Sequence, residues 1–240
     1  MFPDDAMQTV AIIPAGGAGK RMAREVPKQY LPLGGVPVLV RTLRAFQLSE
    51  AVDEILLAVP EGDLAEVRET IVARWRLSKV SQVLAGGPER QDSVRNALQY
   101  LRKEHGIVLV HDGVRPFIGA DLIGRVVAAA EAFGAATVGV PVKETLKEAG
   151  GDGWVARTVP RDGLWLTQTP QGFRREILLA AYDRAAQDGF YGTDDASLVE
   201  RMGTLVRMVP GEVDNIKLTT PEDFALGEIL VRRFPSEETP

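Results

Sequence analysis

The chain contains no cysteine, and among its 240 residues only His105 and His111 are histidines. The first absence excludes disulfides, a thiolate nucleophile and thiolate metal sites, and fits a reducing compartment. The second leaves little material for a zinc site or a Ser-His-Asp triad. No apolar run approaches the roughly 20 residues of a membrane helix. The opening MFPDDAMQ carries two acids where a signal peptide is basic, so it reads as a frayed lead-in and a cytoplasmic protein is expected. Positive charge is not in excess: the net charge is -5 and the pI about 5.3, so the overall field attracts neither nucleic acid nor an anionic membrane. Internal repeats and low-complexity linkers are also missing. What remains is an ordinary globular composition, 45% hydrophobic and 25% charged, in a chain long enough for one α/β domain with a full core.

The stretch TVAIIPAGGAGKRMAREVPKQY, from Thr9 to Tyr30, stands out. An apolar run over Val10 to Ile13 ends at Pro14. Small residues then lead into Lys20 and Arg21, with Lys28 following, which describes a buried strand feeding a loop where backbone N–H groups can approach an anion closely. Two familiar nucleotide loops do not fit. Gly19-Lys20 is followed by Arg21 rather than Ser or Thr, and neither register of GxGxxG places all three glycines. A plain Gly-rich turn explains the glycines equally well. The clustered cations and the PKQY segment favour a functional loop.

Strand and helix patterns then alternate. Strands are expected at 53–59, 80–84, 107–110 and 136–140. Helices are expected over 39–46, over 63–77 (Leu64, Val67, Ile71 and Trp75 at helical spacing), through Val94 to Leu101, and through Leu122 to Phe133. Short connections between them predict a mostly parallel, doubly wound α/β sheet. The alternation stops at Pro141. From there to about Thr169 the sequence predicts a projecting β-hairpin turning at Gly150 to Gly153, all within a single domain spanning 1–240. Trp154, Val155 and Trp165 are costly to leave wet, so a homodimer built on this arm is expected; an arm folded back on its own domain is the alternative. Helices follow over 174–186 and 194–202, the latter with Thr193 as N-cap, then a strand over 205–209, an extended 214–218, and a last helix capped by Thr220 with Pro221 at its first position.

In a parallel sheet the strand C-terminal ends share one rim, and the unusual segments all fall there: 14–21, AGGPERQDS at 85–93, HDGVRP at 111–116, and the later TDD and NIK. Asp112 is placed to hold a divalent ion or a ribose hydroxyl, or to cap the turn that follows. Arg115, kept out of helical conformation by Pro116, is aimed either into the rim or into a surface salt bridge.

PAGGAGKRM, PKQY, GGPERQDSV, HDGVRP, TPQ, TDDAS and DNIK occur in the order and approximate spacing of the 2-C-methyl-D-erythritol 4-phosphate cytidylyltransferases, and from Thr9 to Arg232 the chain resembles that family. The resemblance implies a Rossmann-like nucleotidyltransferase fold, a homodimer through the β-arm, and a Mg²⁺-dependent reaction of CTP with a sugar-alcohol phosphate that releases pyrophosphate. By position it implies that Arg21 and Lys28, with Lys217, stabilise the transition state. Pro14, Ala15, Gly16, Gly17, Gly87, Pro88 and Ser93 match the cytidine-holding segments. Asp112 matches the residue near ribose, metal and acceptor, and Arg115, Thr193 and Lys217 match acceptor positions. Thr145, Arg161 and Thr169 are expected to come from the arm of the partner subunit. The acceptor phosphate is already ionised and pyrophosphate leaves unprotonated, so no general base is needed and the scarcity of histidine is no obstacle. Five positions depart from the family pattern: Gly113, Val114, Pro88, Pro160 and Asp195. Ribitol 5-phosphate cytidylyltransferases resemble the same pattern, and a catalytically silent nucleotide-binding regulatory module is the reading from another class. Retention of the cationic positions favours the enzyme.

Overall fold

A computed structural model describes residues 7–16 and 27–233. The elements are β1 (Gln8–Pro14), the two-residue ribbons β2 (Pro32–Leu33) and β3 (Val36–Pro37), α1 (Val38–Leu48), β4 (Glu54–Val59), α2 (Leu64–Glu66), β5 (Val80–Ala85), α3 (Arg90–Leu98), β6 (His105–Val110) and α4 (Ala120–Phe133). They continue with β7 (Ala135–Pro141), β8 (Leu146–Ala149), β9 (Val155–Val159), β10 (Trp165–Arg174), α5 (Arg175–Gln187), α6 (Asp195–Arg201), β11 (Arg207–Pro210) and α7 (Pro221–Leu230).

Seven strands form one sheet in the order β11-β7-β10-β6-β1-β4-β5. β10 runs antiparallel to both its neighbours, and every other pairing is parallel. The central strands read as continuous apolar runs because both faces are covered. Alternate residues serve opposite sides: Ala11, Ile13, Ile107 and Leu109 pack with α1 and α4, whereas Val10, Ile12, Val108 and Val110 pack with α3, α5 and α6. From β1 the chain builds outward through β4 and β5, then returns to place β6 on the other side of β1. That reversal makes the β1/β6 edge the topological switch point, where ligands of open α/β sheets dock.

Several expected boundaries move. The projecting hairpin is shorter than 141–169, because Trp165 to Gln168 pair with Pro141 to Val138 inside the main sheet, leaving β8 and β9 as a separate ribbon. Its tip exposes Trp154, 78% accessible, and Val155. The helix expected over 63–77 is a 3-10 turn, then α2, then a π-helical run Val67–Ala73, ending where Arg76 takes a positive φ of 51°. Val67, Ile71 and Trp75 are still buried on one side, as their spacing required. Asp194, not Thr193, caps α6: its carboxylate accepts the Ser197 N–H at 2.9 Å, and Ser197 Oγ lies 3.5 Å from the Asp194 amide in a reciprocal box. Thr220 and Pro221 open α7 as expected.

Candidate active site

The end of β1 is clamped from three sides. The Ala15 N–H donates to the Ala58 carbonyl at 2.7 Å, the Gly113 N–H reaches the Pro14 carbonyl at 3.2 Å, and Gln29 Nε2 donates to the Ala15 carbonyl at 2.8 Å. Gln29 is buried in the 3-10 turn Lys28–Tyr30, so the PKQY segment is fastened to the end of β1, and Lys28 sits half-buried on that turn. Tyr30 O–H anchors the turn from the other side on Asp63 at 2.8 Å. Gly17 and Arg21 lie outside the described residues.

Facing Gly16 is the segment between β5 and α3. Ser93 is buried; its Oγ accepts the Gly87 N–H at 3.0 Å and donates to the Glu89 carbonyl at 3.2 Å. A Cβ on Gly87 would lie 2.3 Å from Asp92 Cβ, so only glycine fits there. Pro88 is exposed just before the Glu89/Asp92 capping box that opens α3. Ser93 therefore shapes this segment from beneath.

Beyond β6, one carboxylate gathers three cations. Asp112 is buried; its Oδ1 meets Arg90 Nε at 2.8 Å, and its Oδ2 meets Lys217 Nζ at 3.0 Å and Arg115 Nε at 3.3 Å. Burial alone would push its carboxyl up, but Arg90, Lys217 and Arg115 outweigh that and hold it far below the usual carboxylate range. Arg90 also bonds Asp195 at 2.8 Å, and Asp195 in turn accepts the Tyr182 hydroxyl at 2.5 Å. Arg115 donates to the Asn215 carbonyl at 2.8 Å. It is thus a rim residue, not a surface salt bridge.

A polar chain runs beneath this cluster. The Asp112 N–H donates to Thr169 Oγ1 at 3.1 Å, and the Thr169 hydroxyl donates to His111 Nδ1 at 3.0 Å. That leaves Nε2 to carry the His111 proton, donated to the Arg115 carbonyl at 3.1 Å. Burial pulls the His111 imidazole down to about 4 against the pull of that carbonyl, so the ring is neutral. Asn215 Nδ2 completes the chain by donating to the Thr169 carbonyl at 2.8 Å.

Thr169 therefore belongs to the chain's own rim, which corrects its expected place on the partner's arm: the strand that carries it enters the main sheet beside β6. The structure brings Asp112, Arg115, Thr169 and Lys217 together. Thr193 is exposed at the mouth of an adjoining cavity of about 520 Å³ lined by Arg90, Tyr182 and Asp195. Thr145 and Arg161 stay on the exposed arm, where Arg161 donates to the Lys143 carbonyl. Val114 packs in an apolar cluster with Leu33, Phe117 and Leu218. Three contributors went unassigned from sequence: Arg90, His111 and Asn215. All three lie inside motifs already singled out, Arg90 in GGPERQDS, His111 in HDGVRP and Asn215 in DNIK.

Among the described residues no group of three His, Cys, Asp or Glu side chains converges as a metal cage. Asp112 instead offers a single carboxylate amid fixed positive charge. That arrangement suits a polyanion bringing its own hard cation, since Mg²⁺ is commonly held by one or two carboxylates plus substrate phosphates.

Comparison with known proteins points to one family. The profile of the 2-C-methyl-D-erythritol 4-phosphate cytidylyltransferase family matches residues 9–233. The chain is 49% identical over 226 residues to a protein of that name from Syntrophus aciditrophicus, covering 94% of this chain and 97% of the relative. It is 46% identical over 229 residues to a namesake from Geobacter metallireducens, covering 94% and 98%. Among solved structures it is similar to the 4-diphosphocytidyl-2C-methyl-D-erythritol synthase of Anaerococcus prevotii, with TM-score 0.84, 32% identity, and coverage of 95% and 98%. It is also similar to the 2-C-methyl-D-erythritol 4-phosphate cytidylyltransferase of Thermus thermophilus, with TM-score 0.78, 37% identity, and coverage of 94% and 100%.

Proposed function

The chain belongs to the 2-C-methyl-D-erythritol 4-phosphate cytidylyltransferase family, and from that premise we propose how its rim performs the reaction. It is a nucleotidyltransferase of the non-mevalonate route to isoprenoids: it transfers CMP from CTP to 2-C-methyl-D-erythritol 4-phosphate, giving 4-diphosphocytidyl-2-C-methyl-D-erythritol and pyrophosphate. An oxygen of the acceptor phosphate attacks the α-phosphorus of CTP. As that P–O bond forms, the bond to the β-phosphate bridging oxygen breaks, and pyrophosphate leaves with the electron pair. No proton has to move. The chain's task is to align two anions and to neutralise the charge that gathers between them.

The observation that carries this reading is the Asp112 cluster at the switch point, three cations held in place around one carboxylate. In our reading Gly16, Gly87 and the Ser93-supported segment hold the cytidine, Lys28 and Arg21 neutralise the α-phosphate, and Lys217, Arg115 and Thr169 receive the acceptor. Mg²⁺ belongs to the proposal: Asp112 would be its one protein carboxylate, with CTP phosphates filling the rest, and the ion would supply charge neutralisation at the phosphates.

We infer a homodimer from the arm. Trp154 and Val155 at the arm tip and Leu166 at its base are more than half exposed, apolar side chains that a partner subunit would cover. A partner subunit lying on it would bring Thr145 and Arg161 toward the acceptor. No described helix is long and apolar enough to cross a membrane, and we place the protein in the cytoplasm.

Pyrophosphate release with CTP and Mg²⁺ tests the reading. Release with methylerythritol 4-phosphate is expected, and faster release with ribitol 5-phosphate would move the chain to the sister activity. Saturable CTP binding without release from either acceptor would leave a regulatory module.

A further inference from the structure

Thr193 sits on a loop that an amide side chain fastens to the nucleotide side of the rim. Gln91 occupies the first turn of α3, two residues before Ser93. Its Nε2 donates to the Phe190 carbonyl at 3.0 Å, and its Oε1 accepts the Gly192 N–H at 2.9 Å. A donor and an acceptor meeting residues i and i+2 of one strand reproduce the bonding of a neighbouring peptide in a ladder. A second contact lies alongside, where Tyr191 O–H donates to Asp92 Oδ1 at 3.0 Å, again on the first turn of α3.

The far side of the loop has no room to slide. A Cβ on Gly192 would lie 2.4 Å from Ser197 Oγ and 2.7 Å from Leu198 Cδ2, so the backbone there runs flush against α6. The loop is held between α6 and the Gln91 amide, and the exposed Thr193 follows directly from it. Gln91 touches no reacting atom in this arrangement, yet it links the segment that shapes the cytidine pocket to the residue expected to meet the acceptor.

We propose that Gln91 is a positioning residue for the acceptor: its two bonds hold the 190–193 loop so that Thr193 faces the acceptor phosphate. This rests on the reaction assigned above. A purely structural clasp would change stability and leave both Michaelis constants alone, whereas a positioning clasp changes one of them.

The test compares Gln91→Ala, Gln91→Met and Gln91→Glu in full-length protein. Methionine keeps the length and removes both bonds; glutamate keeps the acceptor for Gly192 N–H but sets a carboxylate oxygen against the Phe190 carbonyl. Alanine and methionine are expected to raise KM for the acceptor about tenfold, the equivalent of about 1.4 kcal/mol, one or two net hydrogen bonds. KM for CTP and kcat should change less than twofold, with glutamate falling between. Amide hydrogen exchange at Gly192 should accelerate in the alanine and methionine variants, more than in glutamate. Faster exchange with an unchanged acceptor KM would overturn the positioning role, and unchanged exchange would overturn the clasp itself. Should the wild-type protein turn over no acceptor, the functional reading and the acceptor role fall together, while exchange still decides whether Gln91 holds the loop.

Discussion

Replacing Asp112 with Asn tests the rim most directly, because it removes one charge and little else. Asparagine has the same shape, and the backbone N–H bond to Thr169 survives. Three cations then lose their common counter-ion. Breaking a buried ion pair by removing one partner costs about 3–5 kcal/mol. Here the figure is reduced, because the Lys217 and Arg90 side chains are 39% and 28% exposed, Arg90 keeps Asp195, and Arg115 keeps the Asn215 carbonyl. A loss of about 2–3 kcal/mol remains. In a domain of this size that lowers Tm by roughly 4–12 °C in a calorimetric scan. Turnover should fall of order a hundredfold, since the carboxylate proposed to hold Mg²⁺ goes too. Pyrophosphate should bind the variant more tightly than the wild type, because the cations now lack an internal anion. Adding Lys217→Met should then cost less than Lys217→Met costs in the wild type, a coupling expected only if the two side chains share an ion pair. A variant that melts within a degree of wild type and binds pyrophosphate no better would refute the cluster as the organising charge of the site.

Acid should find His111. Its folded value of about 4 lies below the ordinary 6.5 because burial disfavours the charged ring, so the unfolded chain binds more protons between those values. That stability is complete above about pH 6.5 and lost as pH falls toward 4, up to about 3 kcal/mol, and urea titrations at pH 7 and pH 5 should show a slope that shrinks in His111→Gln. Gly87→Ala forces a methyl against Asp92 Cβ and should raise KM for CTP at least tenfold with little change for the acceptor; equal affinities would remove that segment from the nucleotide pocket. Lys28→Ala, and equally Arg21→Ala, should lower kcat about a hundredfold or more, and near-normal turnover would take that residue out of the mechanism. Trp154→Glu at the arm tip should shift mass by light scattering from dimer to monomer and cost activity with it, whereas a dimeric variant would place the interface elsewhere.

Much of this architecture was legible because its signals are local. The buried strands announce themselves as Val10 to Ile13 or Ile107 to Val110, and Pro and Gly punctuate their ends. The rim followed from topology, since parallel strands put every loop after a strand on one side. What sequence reading missed is of another kind. β10 enters the sheet against the prevailing direction, and nothing in TQTPQGF says so: its neighbours β6 and β7 are about 60 and 30 residues upstream in sequence and decide its place by pairing. Thr169 therefore looked like part of the arm. The cap of α6 moved by one residue because Thr193 and Asp194 are both good caps, and only the reciprocal bond with Ser197 selects the acid. Arg90 was visible as a letter, but its value lies in spanning Asp112 and Asp195, a relation between segments more than 80 residues apart.

The same cluster explains how an acidic chain can receive two polyanions. Cations crowded on one rim repel one another, and a net charge of -5 supplies no local remedy. Asp112 supplies it, keeping the cations fixed before any ligand arrives, so that little reorganisation is left for the moment of reaction. The three are not equally bound. Arg90 is shared with Asp195 and Arg115 with the Asn215 carbonyl, but among the described residues Lys217 is held by Asp112 alone, and it has the most exposed side chain of the three. Lys217 is therefore the one able to turn from carboxylate to phosphate without leaving a buried charge behind, while the two arginines stay as the fixed frame. Asp112, once free of Lys217, would be the carboxylate to hold a divalent ion, which would supply charge neutralisation at the phosphates. In the proposed reaction Lys217 exchanges that carboxylate for the acceptor phosphate, so the contact given up at Asp112 is regained beside the attacking oxygen.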